Sequence, residues 1–306
     1  MSLLVQLPLL FITMSVLVFF ADKLVDAASK IAKGLGIGDA VIGLTLLAYG
    51  TSIPEFAVST ISSYKAHAGL SVANVIGSNI VNIAIVIGVV SLINPIIIRS
   101  DALWKRDGVF MLFATFVFVI LAYFGGVSRI AGLLMLCAVV YYTVYLIRGE
   151  QKKKRKKQKV GIDKQFLIAT GCIVGVFISG HYTVNLAINV AHLLGISEWI
   201  IGATIVSLGT SLPEIVVSIM AASKRKLSMS LGNIVGSNYF NLFLVIGAAS
   251  VVRPIAIVFS EIAIDLLFLC IFTILFFIGL KKKRFGMLFG IIFLWIYLGY
   301  IAYLVL

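Results

Sequence analysis

The stretch Gly50-Thr51-Ser52-Ile53-Pro54-Glu55 occurs a second time as Gly209-Thr210-Ser211-Leu212-Pro213-Glu214, offset by 159 residues. Each copy sets a carboxylate, two hydroxyls and a helix-breaking proline inside a long apolar run. A carboxylate at the centre of a bilayer-spanning helix costs roughly 2.5–3.5 kcal/mol on insertion scales, so such a group marks a functional site by default. One such glutamate could be a buried structural acid. Two at matched positions of two repeats point to a transporter with its site where the repeats meet.

The rest of the chain suits that reading. Its 306 residues are 61% hydrophobic and 12% charged, with a mean hydropathy of +1.13; the charged share is about half that of a soluble domain. Apolar runs recur at the length of a bilayer span, about 20 residues. Ten spans can be drawn, at 3–21, 39–63, 70–93, 107–124, 129–148, 164–190, 198–222, 229–251, 257–280 and 285–305. The fold class expected is an all-α polytopic membrane protein of ten transmembrane helices. The first run has no basic n-region and no convincing cleavage site, so it reads as a span and not as a signal peptide. Cys137, Cys172 and Cys270 lie in apolar runs with no disulfide or metal spacing, and core packing is their expected role.

The basic segment Gln151–Lys159 separates two halves: 1–150, with its motif region at 39–95, and 164–306, with its motif region at 198–254. Residues 151–163 read as a linker. Loops after the first, third, fifth, seventh and ninth spans hold 22 of the 25 Lys and Arg residues, leaving Lys65, Arg129 and Arg253 on the other side. By the positive-inside rule the linker is cytoplasmic and both termini are outside. The net charge of +13 therefore follows topology and does not indicate nucleic acid.

Val41–Pro95 aligns with Ile200–Pro254 without a gap, and 22 of 55 positions are identical. Asn74, Gly77, Ser78, Asn79 and Asn82 match Asn233, Gly236, Ser237, Asn238 and Asn241. Five spans separate the copies, so the second crosses in the opposite sense and the repeat is of inverted topology. The same offset pairs Asp22 with His181 and Asp26 with Asn185.

Pro54 and Pro213 cannot donate to the carbonyls of Gly50 and Gly209, and each restricts the residue before it. Two helices broken at mid-depth are expected, with carbonyls around Ala48–Thr51 partly freed. What gathers there is oxygen: Glu55 and Glu214 carboxylates, and the Thr51, Ser52, Thr210 and Ser211 hydroxyls. Ser78 with Asn82, and Ser237 with Asn241, are four residues apart and share a helix face. Hard cations such as Ca²⁺ take oxygen ligands, and the lack of His or Cys disfavours Zn²⁺ or Cu⁺. Two buried carboxylates with no basic partner need a divalent ion, monovalent ions or protons to relieve their repulsion. Competition of that kind is the requirement for exchange.

Other polar residues have plainer readings. A lone Ser78 in a span more often bonds its own helix, and Asn74, Asn79, Asn233 and Asn238 can serve as interhelical glue. His67, His181 and His192 read as loop or interface residues; Asp22, Asp26, Glu198, Glu261 and Asp265, near span ends, read as hydrated.

The motifs GTSIPEF and GTSLPEI, followed by GSNIVN and GSNYFN, resemble those of the cation/Ca²⁺ exchanger superfamily, in particular the compact prokaryotic sodium/calcium exchangers. The resemblance covers both halves. It implies two inverted five-helix repeats and alternating access, with Ca²⁺ held by Glu55 and Glu214 and the carbonyls of Thr51 and Thr210. Na⁺ would use Thr51, Ser52, Ser78, Thr210, Ser211 and Ser237, with the carbonyls of Ala48 and Ser207. It further implies a multi-pass protein of the cell membrane. One of the positions matching Asn82 and Asn241 is an Asp in better-known members, so here the cluster carries at most two negative charges. K⁺ dependence is therefore not expected.

A Na⁺/Ca²⁺ antiporter acting as a single chain, with no tightly bound cofactor, is the leading expectation. A H⁺/Ca²⁺ antiporter using the same glutamates is the alternative. The first and sixth spans, amphipathic at their ends, suit the moving elements. An intramembrane enzyme would need a nucleophile–base pair or metal motif that the sequence lacks, and a channel usually builds its pore as a ring of subunits.

Overall fold

The computed structural model describes residues 3–93, 95–98, 101–151, 157–195 and 207–305. The apolar runs are helical, as they must be where no water can satisfy the backbone. In chain order the helices are α1 (Leu3–Leu35), α2 (Asp39–Thr51), α3 (Ile53–Tyr64), α4 (Ala68–Ile93), α5 (Leu103–Tyr123) and α6 (Arg129–Gln151). They continue with α7 (Ile162–Leu193), α8 (Ser207–Thr210), α9 (Leu212–Ser223), α10 (Leu227–Val252), α11 (Phe259–Lys281) and α12 (Met287–Val305).

Eight helices are long and apolar enough to cross a membrane, and the bent pair α2 and α3 brings the number to nine among the described residues. The expected span at 198–222 is described only from Ser207 onward, and Glu198 lies outside the described residues. The first span is longer than the sequence reading gave. Leu24, Val25, Ala28 and Ile31 recur at helical spacing and are buried, so the helix carries on to Leu35. At 33 residues it is about 50 Å long, more than a hydrocarbon core of about 30 Å requires.

The buried side chains form two clusters. The larger is built on α4 and α10 with α5, α6, α11 and α12 around them. The smaller gathers α1 (Leu17, Ala21, Leu24, Ala28), α7 (Ala169, Cys172, Val176) and α9 (Val217, Ala221). α1 and α7 thus pack as a pair beside the main bundle. Cys172 is buried, but Cys137 is exposed on the outer face of α6, so core packing does not hold for all three thiols.

At the crossing of α10 over α2, a Cβ on Gly232 would lie 2.3 Å from the Ala40 carbonyl oxygen, and one on Gly43 would lie 2.3 Å from that of Met229. Only glycine permits this approach, the same use of small residues that brings membrane helices close.

Among the described residues four short strands tie the loops together. β1 (Ile96–Ile97) pairs antiparallel with β4 (Arg284–Phe285), and β2 (Gly126–Val127) pairs with β3 (Ile255–Ala256). Adding 159 to β1 gives β3; adding 158 to β2 gives β4. Under that exchange the pairs Ile96–Phe285 and Ile97–Arg284 become Ile255–Val127 and Ala256–Gly126, which are the pairs observed. The spacing of 158 recurs inside the helices. Tyr142 donates to Asp107 and Tyr300 donates to Asp265, both at 3.0 Å, and the Thr115 and Thr273 hydroxyls meet at 3.5 Å. Asp265, expected to be hydrated, is instead half-buried and held by Tyr300. Glu261 is exposed as expected.

The linker side of the molecule is fixed by several contacts. The backbone N–H of Gln158 donates to the Lys33 carbonyl, Lys226 faces Asp39 at 3.7 Å, and Lys283 pairs with Asp101 at 2.5 Å.

Candidate functional site

The break between α2 and α3 is sharp, with the two helices bent by 47°. It falls at Ser52 (φ −81°, ψ 9°), one residue before the expected Ile53. Pro54 then sits in the first turn of α3, where its missing N–H costs nothing. Ser211 (φ −86°, ψ 0°) stands at the same point before α9, with Pro213 in its first turn. Gly50 and Gly209 lose their i+4 donors to these prolines. Ala48 does not: its carbonyl accepts from the Ser52 N–H at 3.1 Å, so that expected free carbonyl is engaged within the helix. Ser207 opens α8.

The breaks bring the two halves into contact through their own motif residues. Ser52 Oγ donates to Glu214 Oε1 at 2.9 Å, and Ser211 Oγ donates to Glu55 Oε1 at 3.2 Å. Ser78 Oγ also reaches Glu55 Oε1, at 3.4 Å, and lies 3.4 Å from Thr210 Oγ1. Glu55, Glu214, Ser52, Ser211, Thr51, Ser78, Asn82, Ser237 and Asn241 are all buried; Thr210 is half-buried.

A shell of amides supports this cluster. Asn74 Nδ2 donates to Ser59 Oγ at 2.9 Å and to the Glu55 carbonyl at 3.5 Å. Asn233 repeats both bonds, to Ser218 Oγ and the Glu214 carbonyl, at the same distances. Asn79 Nδ2 donates to the Asn238 carbonyl at 3.3 Å while Asn238 Nδ2 donates to that of Asn79 at 3.2 Å. The interhelical role open to these four asparagines is therefore the one they take. Ser59 and Ser218 were not singled out from sequence, although both belong to the ungapped repeat.

The two halves differ in one respect. Thr210 Oγ1 donates across to Asn74 Oδ1 at 3.1 Å, whereas Thr51 Oγ1 bonds back to the Leu47 carbonyl at 3.0 Å and Asn233 Oδ1 has no partner. α2 contains a π-turn at Gly43–Leu47, whose counterpart lies outside the described residues, and α10 has one opening at Asn241 itself (Asn241–Val245), where α4 continues as α-helix. π-Turns of this kind often accompany functional sites, and no local sequence pattern announced them.

Seven buried polar atoms of this cluster have no hydrogen-bond partner: Glu55 Oε2, Glu214 Oε2, Ser237 Oγ, and both side-chain heteroatoms of Asn82 and of Asn241. Each such atom ordinarily costs about 1–3 kcal/mol. All belong to residues singled out from the sequence, and oxygens predominate. The donor set fits a hard cation. Among the described residues no three His, Cys, Asp or Glu side chains converge on one point, so the charge available is that of two carboxylates.

Fold and site together define a multi-pass α-helical membrane protein with a buried pair of carboxylates where two like segments meet. The family model of the sodium/calcium exchanger protein matches residues 5–148 and 164–306. The sodium/calcium exchanger MaX1 of Methanosarcina acetivorans is 33% identical over 281 residues, covering 78% of this chain and 80% of its own. An uncharacterized membrane protein of Methanocaldococcus jannaschii is 32% identical and covers 94% of this chain and 93% of its own. A solved structure of the sodium-calcium exchanger NCX_Mj, soaked with 2.5 mM Na⁺ and 0.1 mM Ca²⁺, superposes with a TM-score of 0.84 at 31% identity, covering 99% of each chain. The chain belongs to the sodium/calcium exchanger family. It is a cation/Ca²⁺ exchanger, a transporter and not an enzyme.

Proposed function

We propose that this protein exchanges Na⁺ for Ca²⁺ by alternating access at one mid-membrane site built on Glu55 and Glu214. The observation that carries the proposal is the set of seven unpartnered buried polar atoms on the motif residues, two of them carboxylate oxygens of Glu55 and Glu214. Ca²⁺ is held by Glu55 and Glu214 with the Thr51 and Thr210 carbonyls, and its charge balances both carboxylates. Na⁺ competes through the Thr51, Ser52, Ser78, Thr210, Ser211 and Ser237 hydroxyls and the Ala48 and Ser207 carbonyls, with Asn82 and Asn241 completing the polar wall. The named sodium/calcium exchangers among the relatives support Na⁺ as counter-ion.

In this reading the chain has ten spans in two inverted five-helix halves, 1–150 and 164–306, joined by a cytoplasmic linker. Both termini are outside, in the cell membrane, and a single chain suffices. The recurrence of the strand pairs at offsets of 159 and 158, and of the Asn79–Asn238 contact at 159, supports the two-fold relation. The 22 basic residues on the linker side support the orientation.

The test is ⁴⁵Ca²⁺ uptake into proteoliposomes preloaded with Na⁺, K⁺ or choline, with pH equal on both sides. Uptake driven by internal Na⁺ alone, and abolished by Glu55→Gln or Glu214→Gln in protein that still inserts, is the expected result. Uptake that ignores Na⁺ and follows an imposed pH gradient replaces the coupling ion with H⁺. Near-normal flux in either glutamine variant removes the site.

A further inference from the structure

α1 and α7 occupy matched places in the two halves, yet only α1 is pinned. Lys224, just past the end of α9, donates to Asp22 Oδ1 at 2.7 Å, to Asp26 Oδ1 at 2.6 Å and to the Asp22 carbonyl at 2.8 Å. Asp22 and Asp26 are one turn apart on α1 and share a face. They are not simply hydrated, as their place near the end of the expected span suggested: they clamp a lysine from another helix.

The offset of 159 places Lys65, His181 and Asn185 at the corresponding points of the other side. There the three groups do not meet. Lys65 is exposed at the end of α3, and His181 Nε2 lies 2.9 Å from Asn185 Nδ2 on α7. A lysine opposite an imidazole and an amide has no carboxylate to hold. Packing follows the same division: α1 lies along α9, and no comparable seam joins α7 to α3 among the described residues.

The α1–α9 seam is also a wall. A cavity of about 1180 Å³ opens on the linker side, lined by Ala32 and Lys33 of α1 and by Ile219, Ala222 and Ser223 of α9. Neither glutamate and none of the motif hydroxyls lines it. Behind the wall, Val217 and Ala221 of α9 are fully buried in the cluster that α1 completes, one turn or two beyond Glu214 along the same helix.

We propose that Lys224 is a positioning residue for transport: it latches α1 against α9 on the linker side, and its release from Asp22 and Asp26 opens the path from the linker-side cavity to Glu214. On the opposite side Lys65, His181 and Asn185 form no such latch among the described residues. The protein therefore rests with the linker side closed. A ligand or charge change that favours the other state shifts this balance only by its differential affinity for the two states. The inference rests on the alternating-access reading above.

The test uses reconstituted full-length protein in which Cys137, Cys172 and Cys270 are replaced and a reporter cysteine is placed at Ala221. Labelling by a membrane-impermeant maleimide from the linker side measures opening of the seam, and half-saturating Ca²⁺ is measured from each side. Lys224→Gln is expected to speed labelling about tenfold or more, the population shift that losing a charge-assisted pair implies, and to lower half-saturating Ca²⁺ on the linker side. Lys224→Arg and the swap Lys224→Asp with Asp22→Lys should restore the slow rate. Asp26→Asn keeps the Lys224–Asp22 pair, and with it a folded protein, and should give an intermediate rate. Wild-type labelling in Lys224→Gln or Asp26→Asn, or a swap that labels as fast as Lys224→Gln, overturns the latch. Absence of Ca²⁺ exchange in the parent protein instead overturns the transport reading, and the labelling rates still decide the latch.

Discussion

The Ser52 hydroxyl, at the break between α2 and α3, donates to the Glu214 carboxylate at the head of α9, 2.9 Å away, across 162 residues of sequence. Ser211 returns the bond to Glu55 at 3.2 Å. Each half therefore orients the other half's acid, and neither site half is complete alone. A hydrogen bond to a charged group is worth about 1.5–3 kcal/mol, or roughly ten- to a hundredfold in affinity. Ser52→Ala and Ser211→Ala should each raise half-saturating Ca²⁺ by about tenfold or more with insertion unchanged. Ser223→Ala is the control, because that exposed hydroxyl only bonds back to the Ile219 carbonyl. Equal kinetics in all three variants would contradict the cross-linked site.

The amide clamp between Asn79 and Asn238 makes a different prediction. The two residues exchange side-chain-to-backbone bonds of 3.3 and 3.2 Å at the centre of the bundle, where both are fully buried. Neither touches the carboxylates. Asn79→Leu removes the Nδ2 donor to the Asn238 carbonyl, at about 1–3 kcal/mol for the buried group that loses its partner, while the Asn238 amide keeps its bond to the backbone carbonyl at position 79. Thermal unfolding in detergent should fall by several degrees, at about 2–4 °C per kcal/mol for a chain of this size. Half-saturating Ca²⁺ in the folded fraction should be unchanged.

Much of this was legible because the chemistry is duplicated. The Gly-Thr-Ser-x-Pro-Glu break and the Asn and Ser residues of the next span recur without a gap, so their convergence followed from the repeat alone. The expected spans agree with the observed helices to within a few residues, except that a polar face hid the continuation of α1 to Leu35 and that the span at 198–222 is described only from Ser207. What stayed hidden was of another kind. The match of Asp107–Tyr142 with Asp265–Tyr300 runs at 158, not 159, so the ungapped alignment that carries the motifs does not reach it. π-Turns come from backbone register, which no single residue type encodes. The Lys224 pairing joins segments about 200 residues apart. Its one trace is that Lys65 and Lys224 are the sole identity between 61–70 and 220–229.

Gly232 offers a test of the helix crossing. A Cβ there would stand 2.3 Å from the Ala40 carbonyl oxygen and 3.1 Å from the Leu44 nitrogen, and backbone cannot give way as a side-chain tip can. Gly232→Ala should cost several kcal/mol, at the upper end of single substitutions, and yield little folded protein. Gly69 has open space around it, so Gly69→Ala should express and transport normally. A well-folded, active Gly232→Ala would contradict the observed approach of α10 to α2.

Asn82 and Asn241 hold four buried, unpartnered heteroatoms but no charge, and the proposed site places both beside the ion. With two carboxylates, a bound Ca²⁺ leaves the cluster neutral. Asn82→Asp or Asn241→Asp adds a third negative charge, which a proton or a further monovalent cation must balance. Ca²⁺ uptake by these variants should become pH-dependent, resembling the parent in mild acid, where the new acid is protonated. In alkali it should show half-saturating Ca²⁺ lower by about tenfold. Internal pH recorded during ⁴⁵Ca²⁺ uptake should show proton movement beyond the parent's. Uptake with the same pH profile as the parent's would mean that these positions do not face the ion.

The latch makes its own pH prediction. Partial burial alone would lower the Lys224 ammonium, but hydrogen bonds and attraction from Asp22 and Asp26 outweigh it and hold the group above its ordinary 10.5. Lys23, 3.8 Å from Asp22, is the nearest competing cation recorded for these acids on α1. A lysine raised on folding contributes stability that is fully present below its unfolded value and is lost as pH rises through the folded one. The Lys224 ammonium therefore stays charged from neutral to mildly alkaline pH and gives way only in strong alkali. Labelling at Ala221→Cys should stay slow across the first range, once corrected for the thiol's own ionisation, and accelerate only in the second. Asp26→Asn removes one of the two acids that raise the lysine, so its acceleration should begin at lower pH than in the parent. An onset shared by both proteins would separate the alkaline opening from Lys224.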